Sequence, residues 1–280
     1  MQYISNSFRP LAFALALLGV LFACKKDETP AVPLPEIQLN TTTLGNVLTD
    51  QSGKTLYFFA ADASGKSACS GTCLDTWAVF YKETPTLSTS LTAADFSTIT
   101  RADGSKQTAF RGWPLYTFKN DAKAGDVLGD NVGKSWYVAK TDYSIMIGSG
   151  QLVGNDGKSY TKTYTEGTGN TLYMTDGTGK TLYAYASDKK GKNNYTKADF
   201  SNNTTWPLFE DVIKSVPSVL AITDFSSTTT AAPGHIQVTY KGWPLYYFGP
   251  DAGVRGSTKG VSVPRPGVWP IVYTDSPEAP

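Results

Sequence analysis

One seven-residue pattern, written four times, limits what this chain can fold into. It reads Leu-Tyr-x-[Phe/Tyr]-x-x-Asp. "LYFFAAD" carries Tyr57, Phe59 and Asp62, and "LYTFKND" carries Tyr116, Phe118 and Asp121. "LYAYASD" carries Tyr183, Tyr185 and Asp188, and "LYYFGPD" carries Tyr246, Phe248 and Asp251. Successive side chains of a strand point to opposite faces. The two aromatics of each copy therefore share one face, with Leu56 and Phe58 on the other face of the first copy. Such rings bury a large area and pair across strands for about 0.5–1.5 kcal/mol beyond it. The Asp falls just past the strand, ahead of Gly65, Gly125, Gly191 or Gly253. There a carboxylate accepts backbone N–H groups in an Asx-turn and fixes the hairpin. Calcium binding by the four carboxylates fits less well, because the ion takes roughly six to eight oxygens and one Asp per loop does not supply them.

The copies come in pairs. A tryptophan follows the Tyr by 20 residues in the first two (Trp77, Trp136) and by 23 in the last two (Trp206, Trp269). The remaining tryptophans, Trp113 and Trp243, lie inside two Gly-Trp-Pro-Leu-Tyr phrases. Gln107-x-x-Phe110-Arg111-Gly112-Trp113-Pro114 matches Gln237-x-x-Tyr240-Lys241-Gly242-Trp243-Pro244, and Thr49-Asp50-x-x-Gly53-Lys54 matches Thr175-Asp176-x-x-Gly179-Lys180. The chain thus reads as two tandem modules, 41–147 and 165–275, joined by a Gly/Thr-rich linker, 148–164, with room for a strand. Gly112 and Gly242 allow a turn, and Pro114 and Pro244 open a strand where a missing N–H is tolerated. Trp113 and Trp243 are expected to pack over the aromatic strand that follows, each acting mainly within its own module. The expected fold is all-β: short antiparallel strands in two homologous modules, each with two aromatic-strand repeats. A single four-fold propeller-like ring is the alternative.

With 25 Lys and Arg against 24 Asp and Glu, the chain offers no general nucleic-acid surface. Its 16 Tyr, 13 Phe and 26 Gly suit short strands and tight turns. Catalytic patterns are missing. His235 sits in "APGHIQVTY" with no nucleophile motif beside it. The motif carboxylates recur with the strand, which favours a structural role over a glycosidase pair. The Gly129–Ser135 segment is one residue short of a phosphate loop. Cys69 and Cys73 have three residues between them and no following His, so they match neither a haem attachment site nor a thioredoxin pair. A zinc site would need two more ligands. A local disulfide is expected instead, worth about 2 kcal/mol for so short a loop. A labile redox bridge is the alternative. No cofactor and no metal are expected.

Residues 1–23 read as a signal peptide: Arg9 supplies the positive flank, and Leu11 to Ala23 form an apolar run too short to cross about 30 Å of hydrocarbon with ease. Leu21-Phe22-Ala23-Cys24 resembles the bacterial lipobox, which implies that Cys24 becomes a lipidated N-terminus. Lys25-Lys26-Asp27-Glu28 resembles a tag that sends some lipoproteins to the outer cell surface. Residues 24–40, charged and then Pro-rich, read as a semi-extended tether.

The Tyr-x-[Phe/Trp/Tyr]-x-x-Asp motif, the Cys69-Ser-Gly-Thr-Cys73 segment ahead of Trp77 and the Gly-Trp-Pro-Leu-Tyr phrase together resemble the "secreted repeat" lipoprotein family of bacteria. The likeness is weaker in the second module, where Asn193 to Phe200 stand in place of the cysteine segment. The resemblance implies export and tandem architecture, and it carries no established biochemical activity. The expected protein is a lipoprotein anchored to the outer membrane through Cys24, a non-catalytic binding, interaction or structural module. Its partner would be an envelope protein or glycan. A redox or electron-transfer accessory using Cys69 and Cys73 is the alternative.

Overall fold

The computed structural model describes residues 1–3 and 33–280, so the apolar leader, Cys24 and most of the tether lie outside the described residues. Leu34–Pro280 form one compact unit. The strands of the first half are β1 (Ile37–Thr42), β2 (Gly45–Asp50), β3 (Leu56–Phe59), β4 (Trp77–Val79), β5 (Phe96–Thr100), β6 (Lys106–Phe110), β7 (Trp113–Pro114), β8 (Tyr116–Phe118) and β9 (Trp136–Val138). The second half adds β10 (Ile145–Val153), β11 (Ser159–Tyr160), β12 (Asn170–Asp176), β13 (Phe225–Thr229), β14 (Ile236–Tyr240) and β15 (Trp243–Pro244). Among the described residues the only helical elements are short 3-10 turns, and every pairing between these strands is antiparallel.

The aromatic strands sit at the centre of each half. In the first, the sheet order is β4-β8-β3-β9, with Tyr57 opposite Tyr116. The array has approximate two-fold symmetry: β4, which follows β3 in the chain, pairs with β8, and β9, which follows β8, pairs with β3. The second half repeats the order as single bridges, Leu208 to Tyr246, Tyr246 to Tyr183 and Tyr183 to Ile271. Pro207 and Pro270 stand there where Ala78 and Tyr137 stand in the first half. Proline has no N–H to give a ladder, so the continuous strands shrink to bridges. The four copies therefore pair two and two, and the propeller-like ring does not form.

A hairpin leads into each central array. β1–β2 pairs Ile37 with Asp50, and β10–β12 pairs Ile145 with Asp176. Leu48 N–H donates to the Ala139 carbonyl (2.7 Å), and Met174 N–H to the Val272 carbonyl (2.8 Å), at the matching place in each half. The 148–164 stretch supplies the end of β10 and all of β11. Its glycines read as linker, but Gly148 is a packing residue: a Cβ there would come within 2.8 Å of the Tyr173 ring. Outer sheets β5-β6-β7 and β13-β14-β15 complete the two halves.

The largest core crosses from one half to the other, joining Leu48, Phe58, Phe110 and Trp113 to Met146, Met174, Leu182 and Leu245. Two smaller aromatic cores lie one in each half. Strand alternation feeds both kinds: Leu56 and Phe58 face the shared core, and Tyr57 and Phe59 face the local aromatic one.

Candidate functional site

Each motif aspartate serves the other copy of its pair. The Tyr57 hydroxyl donates to Asp121 Oδ2 (2.6 Å), and the Tyr116 hydroxyl donates to Asp62 Oδ2 (2.7 Å). The second half repeats the exchange, Tyr183 to Asp251 and Tyr246 to Asp188, both at 2.7 Å. The antiparallel pairing of the two aromatic strands makes this possible, because it carries each Tyr to the loop that leaves its neighbour. The other carboxylate oxygen accepts a backbone N–H six to eight residues on: Ala68 for Asp62, Leu128 for Asp121, Asn194 for Asp188 and Lys259 for Asp251. These contacts replace the local Asx-turn expected from the sequence. Asx-turns do occur, at Asp50 and Asp176, whose Oδ1 atoms accept the N–H groups of Ser52 and Lys54 and of Thr178 and Lys180. The duplicated Thr-Asp-x-x-Gly-Lys phrase was the signal for them.

Four rings stack in a column between the paired copies. Phe59 lies on Trp136 (4.1 Å between centroids), Trp136 on Trp77 (3.8 Å, 2° between planes) and Trp77 on Phe118 (4.4 Å). In the second half the column is Tyr185, Trp269, Trp206 and Phe248, with the tryptophans 3.7 Å apart. Gly129 and Gly260 close the column's side. A Cβ on either would come within 2.9 Å of the Tyr57 or Tyr183 ring, and each glycine N–H donates to that tyrosine hydroxyl at 3.2 Å.

Burial dominates the electrostatics. Loss of hydration pushes the Asp62 carboxyl up to about 7 and that of Asp188 up to about 6, against the pull of their hydrogen bonds. Asp121 and Asp251 are raised for the same reason. The four partner tyrosines are raised too, first by burial and then by the carboxylates they face.

Cys69 and Cys73 form a disulfide. Cys69 is buried in the first aromatic core, and its carbonyl accepts from Arg101 Nη2 at 2.6 Å. Arg101, itself 6 % exposed, also donates to Gln107 Oε1 (2.6 Å) and to the Ser67 hydroxyl, which meets the Tyr116 hydroxyl. Gln107 then donates to the Leu115 carbonyl (2.9 Å). In the second half Gln237 bonds the Leu245 carbonyl likewise (2.7 Å), and Asn193 takes the place of Arg101 as its donor (2.7 Å). The two glutamines stand in the duplicated phrase, where their role was not legible; Arg101 has no counterpart to reveal it.

Trp113 and Trp243 part company. The Trp113 indole is 1 % exposed and donates to the Gly177 carbonyl of the other half at 3.0 Å. Arg255, also from the other half, lies 4.8 Å over its ring. Trp113 is thus a seam residue, which corrects the expectation that it acts mainly within its own half. Trp243 is half-buried and donates to the Pro277 carbonyl at 2.9 Å. His235 stacks on Phe200 (3.9 Å) with Nδ1 3.1 Å from Glu210. Cys24 lies outside the described residues.

The family described as a secreted repeat of unknown function matches residues 39–80, 97–140 and 227–272. These segments hold the first, second and fourth aromatic strands with Trp77, Trp136 and Trp269. The third copy, where the cysteine segment is replaced, falls between them. No curated protein and no solved structure matches the chain.

Proposed function

Because this chain belongs to the secreted-repeat family, we propose that it is an exported, non-catalytic binding or interaction module, held at the outer membrane by lipid on Cys24. The observation that carries the reading is how the repeat uses its chemistry. All four motif carboxylates are buried, each bonded to a tyrosine of the paired copy and to a backbone N–H. Four of the six tryptophans are stacked within the columns. Groups committed in this way build a rigid frame, and contacts with a partner fall to the loops and ends around it. Outward display on a Pro-rich tether suits an envelope protein or glycan as that partner. The redox alternative has less support, since the second half builds the same array without the cysteine bridge.

Two experiments test the proposal. The Leu34–Pro280 unit, immobilised and exposed to solubilised envelope, is expected to retain a defined protein or glycan; retention of nothing above a denatured control removes the binding role. Separately, Cys24→Ser is expected to leave the membrane fraction or stay unprocessed. Unchanged processing and partitioning would remove the lipid anchor.

A further inference from the structure

The seam between the halves is written a second time in the second half, and there something else fills it. In the first half, Arg111 reaches across to the Thr141 carbonyl (2.7 Å), and the chain then runs on into β10 of the second half. In the second half, Lys241 reaches the matching Thr274 carbonyl (3.4 Å), and the chain then runs into residues 275–280. Those six residues fold back over the face that corresponds to the seam. The Pro277 carbonyl takes the Trp243 indole N–H (2.9 Å), as the Gly177 carbonyl takes that of Trp113 (3.0 Å). Ala279 N–H donates to the Lys241 carbonyl (3.0 Å), Lys190 N–H donates to the Pro280 carbonyl (2.9 Å), and Lys190 Nζ pairs with Glu278 (2.9 Å). The cover is partial. A groove of about 300 Å³ stays open beside it, lined by Tyr164, Trp243, Ile271, Tyr273 and Pro277.

The complementary surface is present in the first half. At the seam, the second half offers the turn Asp176–Gly179, held by three bonds to Asp176 Oδ1. The first half carries the same turn, Asp50–Gly53, held by the same three bonds to Asp50 Oδ1. Gln51 and Ser52 leave its tip exposed. Two parts differ, the first being Gln51 in place of Gly177. Gly256 N–H bonds the Gly179 carbonyl (2.9 Å) just after Arg255, and Gly125 N–H bonds the Gly53 carbonyl (3.0 Å) just after Ala124. Ala124 thus stands where the seam has its arginine over Trp113.

We propose that residues 275–280 are a built-in stopper on the half-to-half docking face, and that without them this face takes the Asp50–Gly53 turn of a second copy of the chain, head to tail. A head-to-tail contact between unlike faces does not close on itself and extends into open chains. The stopper therefore keeps a two-half protein from growing, in the way terminal capping segments end repeat arrays. Gln51 and Ala124 weaken the same contact from the opposite face. This inference is independent of the lipid anchor and of any envelope partner.

Sedimentation velocity of the Leu34–Pro280 unit and of a version ending at Thr274 tests it. The intact unit is expected to remain monomeric. The shortened one is expected to associate with rising concentration, at least tenfold more tightly when Ala124→Arg is added, and to dissociate when a peptide of residues 274–280 is supplied. A shortened unit that keeps its native circular dichroism and stays monomeric overturns the proposal, as does association indifferent to both Ala124→Arg and the peptide. Should the shortened unit fail to fold, Ala279→Pro in the intact unit removes the Ala279 N–H donor and restrains the backbone at Glu278 and residue 279, which loosens the segment from Lys241. Its association under the same conditions supports the stopper, and its remaining monomeric overturns it.

Discussion

At the scale of single residues, the Tyr–Asp exchange explains why this motif is useful only in pairs. A buried hydroxyl and a buried carboxylate each carry a desolvation cost that a hydrogen bond between them offsets. Neither copy can provide both partners for itself, because the antiparallel register brings Tyr116 to Asp62 and Tyr57 to Asp121. The same burial sets a pH dependence. Asp62 is pushed up to about 7 and Asp188 up to about 6, above the roughly 3.9 of an unfolded Asp. Between these values the folded protein holds protons that the unfolded chain has released. Their contribution to stability is full below about pH 4 and is lost as pH rises through 6 to 7. The exposed carboxylates that are lowered, Asp103, Asp156 and Asp199 among them, titrate below this window and do not oppose it. The melting temperature is therefore expected to be higher at pH 5 than at pH 8, with Asp62→Asn flattening the slope. A melting temperature that rises over that interval would contradict the buried-proton account.

At the scale of elements, the cysteine segment and its replacement show two ways to hold one loop. In the first half the Cys69–Cys73 bridge closes a 3-10 turn next to Trp77. In the second half Tyr195 fills the corresponding space, its ring 4.7 Å from Trp269 and 6.1 Å from Tyr246. A bridge that closes so few residues constrains the unfolded chain little. Replacing both cysteines by serine is expected to lower stability by about 2 kcal/mol in denaturant titration and to leave the Trp206–Trp269 stack intact. A loss of the native near-ultraviolet signal from both halves would show that the bridge holds more than its own loop.

On the scale of the whole molecule, the shared core decides how the halves behave. Tandem repeats suggest two independent modules, yet Trp113, Met146 and Met174 lie in one cluster and Arg255 reaches across to the Arg111 carbonyl at 2.9 Å. Residues that share partners do not act independently. The Leu34–Pro280 unit is accordingly expected to melt in a single transition. Trp113→Ala should destabilise the whole of it by about 3–5 kcal/mol, the range for a buried large aromatic. Trp243→Ala, at a half-exposed ring, should cost less. Calorimetry distinguishes the cases: two resolved transitions, with only one shifted by Trp113→Ala, would mean that the halves are separate modules after all.

The repeat, the strand class and the two-by-two matching of the copies follow from the sequence alone, because period-two alternation and fixed spacings are local properties of a chain. Tyr57 and Phe59 could be placed on one face, and Leu56 and Phe58 on the other, without coordinates. The cysteine pair was legible for the same reason, as four residues of separation leave few other partners. Which Asp meets which Tyr was not legible, since the exchange spans 64 residues from Tyr57 to Asp121 and depends on the register of two strands. The strand through Gly148 and Gly150 was legible only as room for one in the linker, and that Gly148 makes space for the Tyr173 ring of the neighbouring strand was not. The unequal fates of Trp113 and Trp243, identical in their local phrase, came only from the tertiary structure: one phrase has a second half packed over it, and the other has residues 275–280.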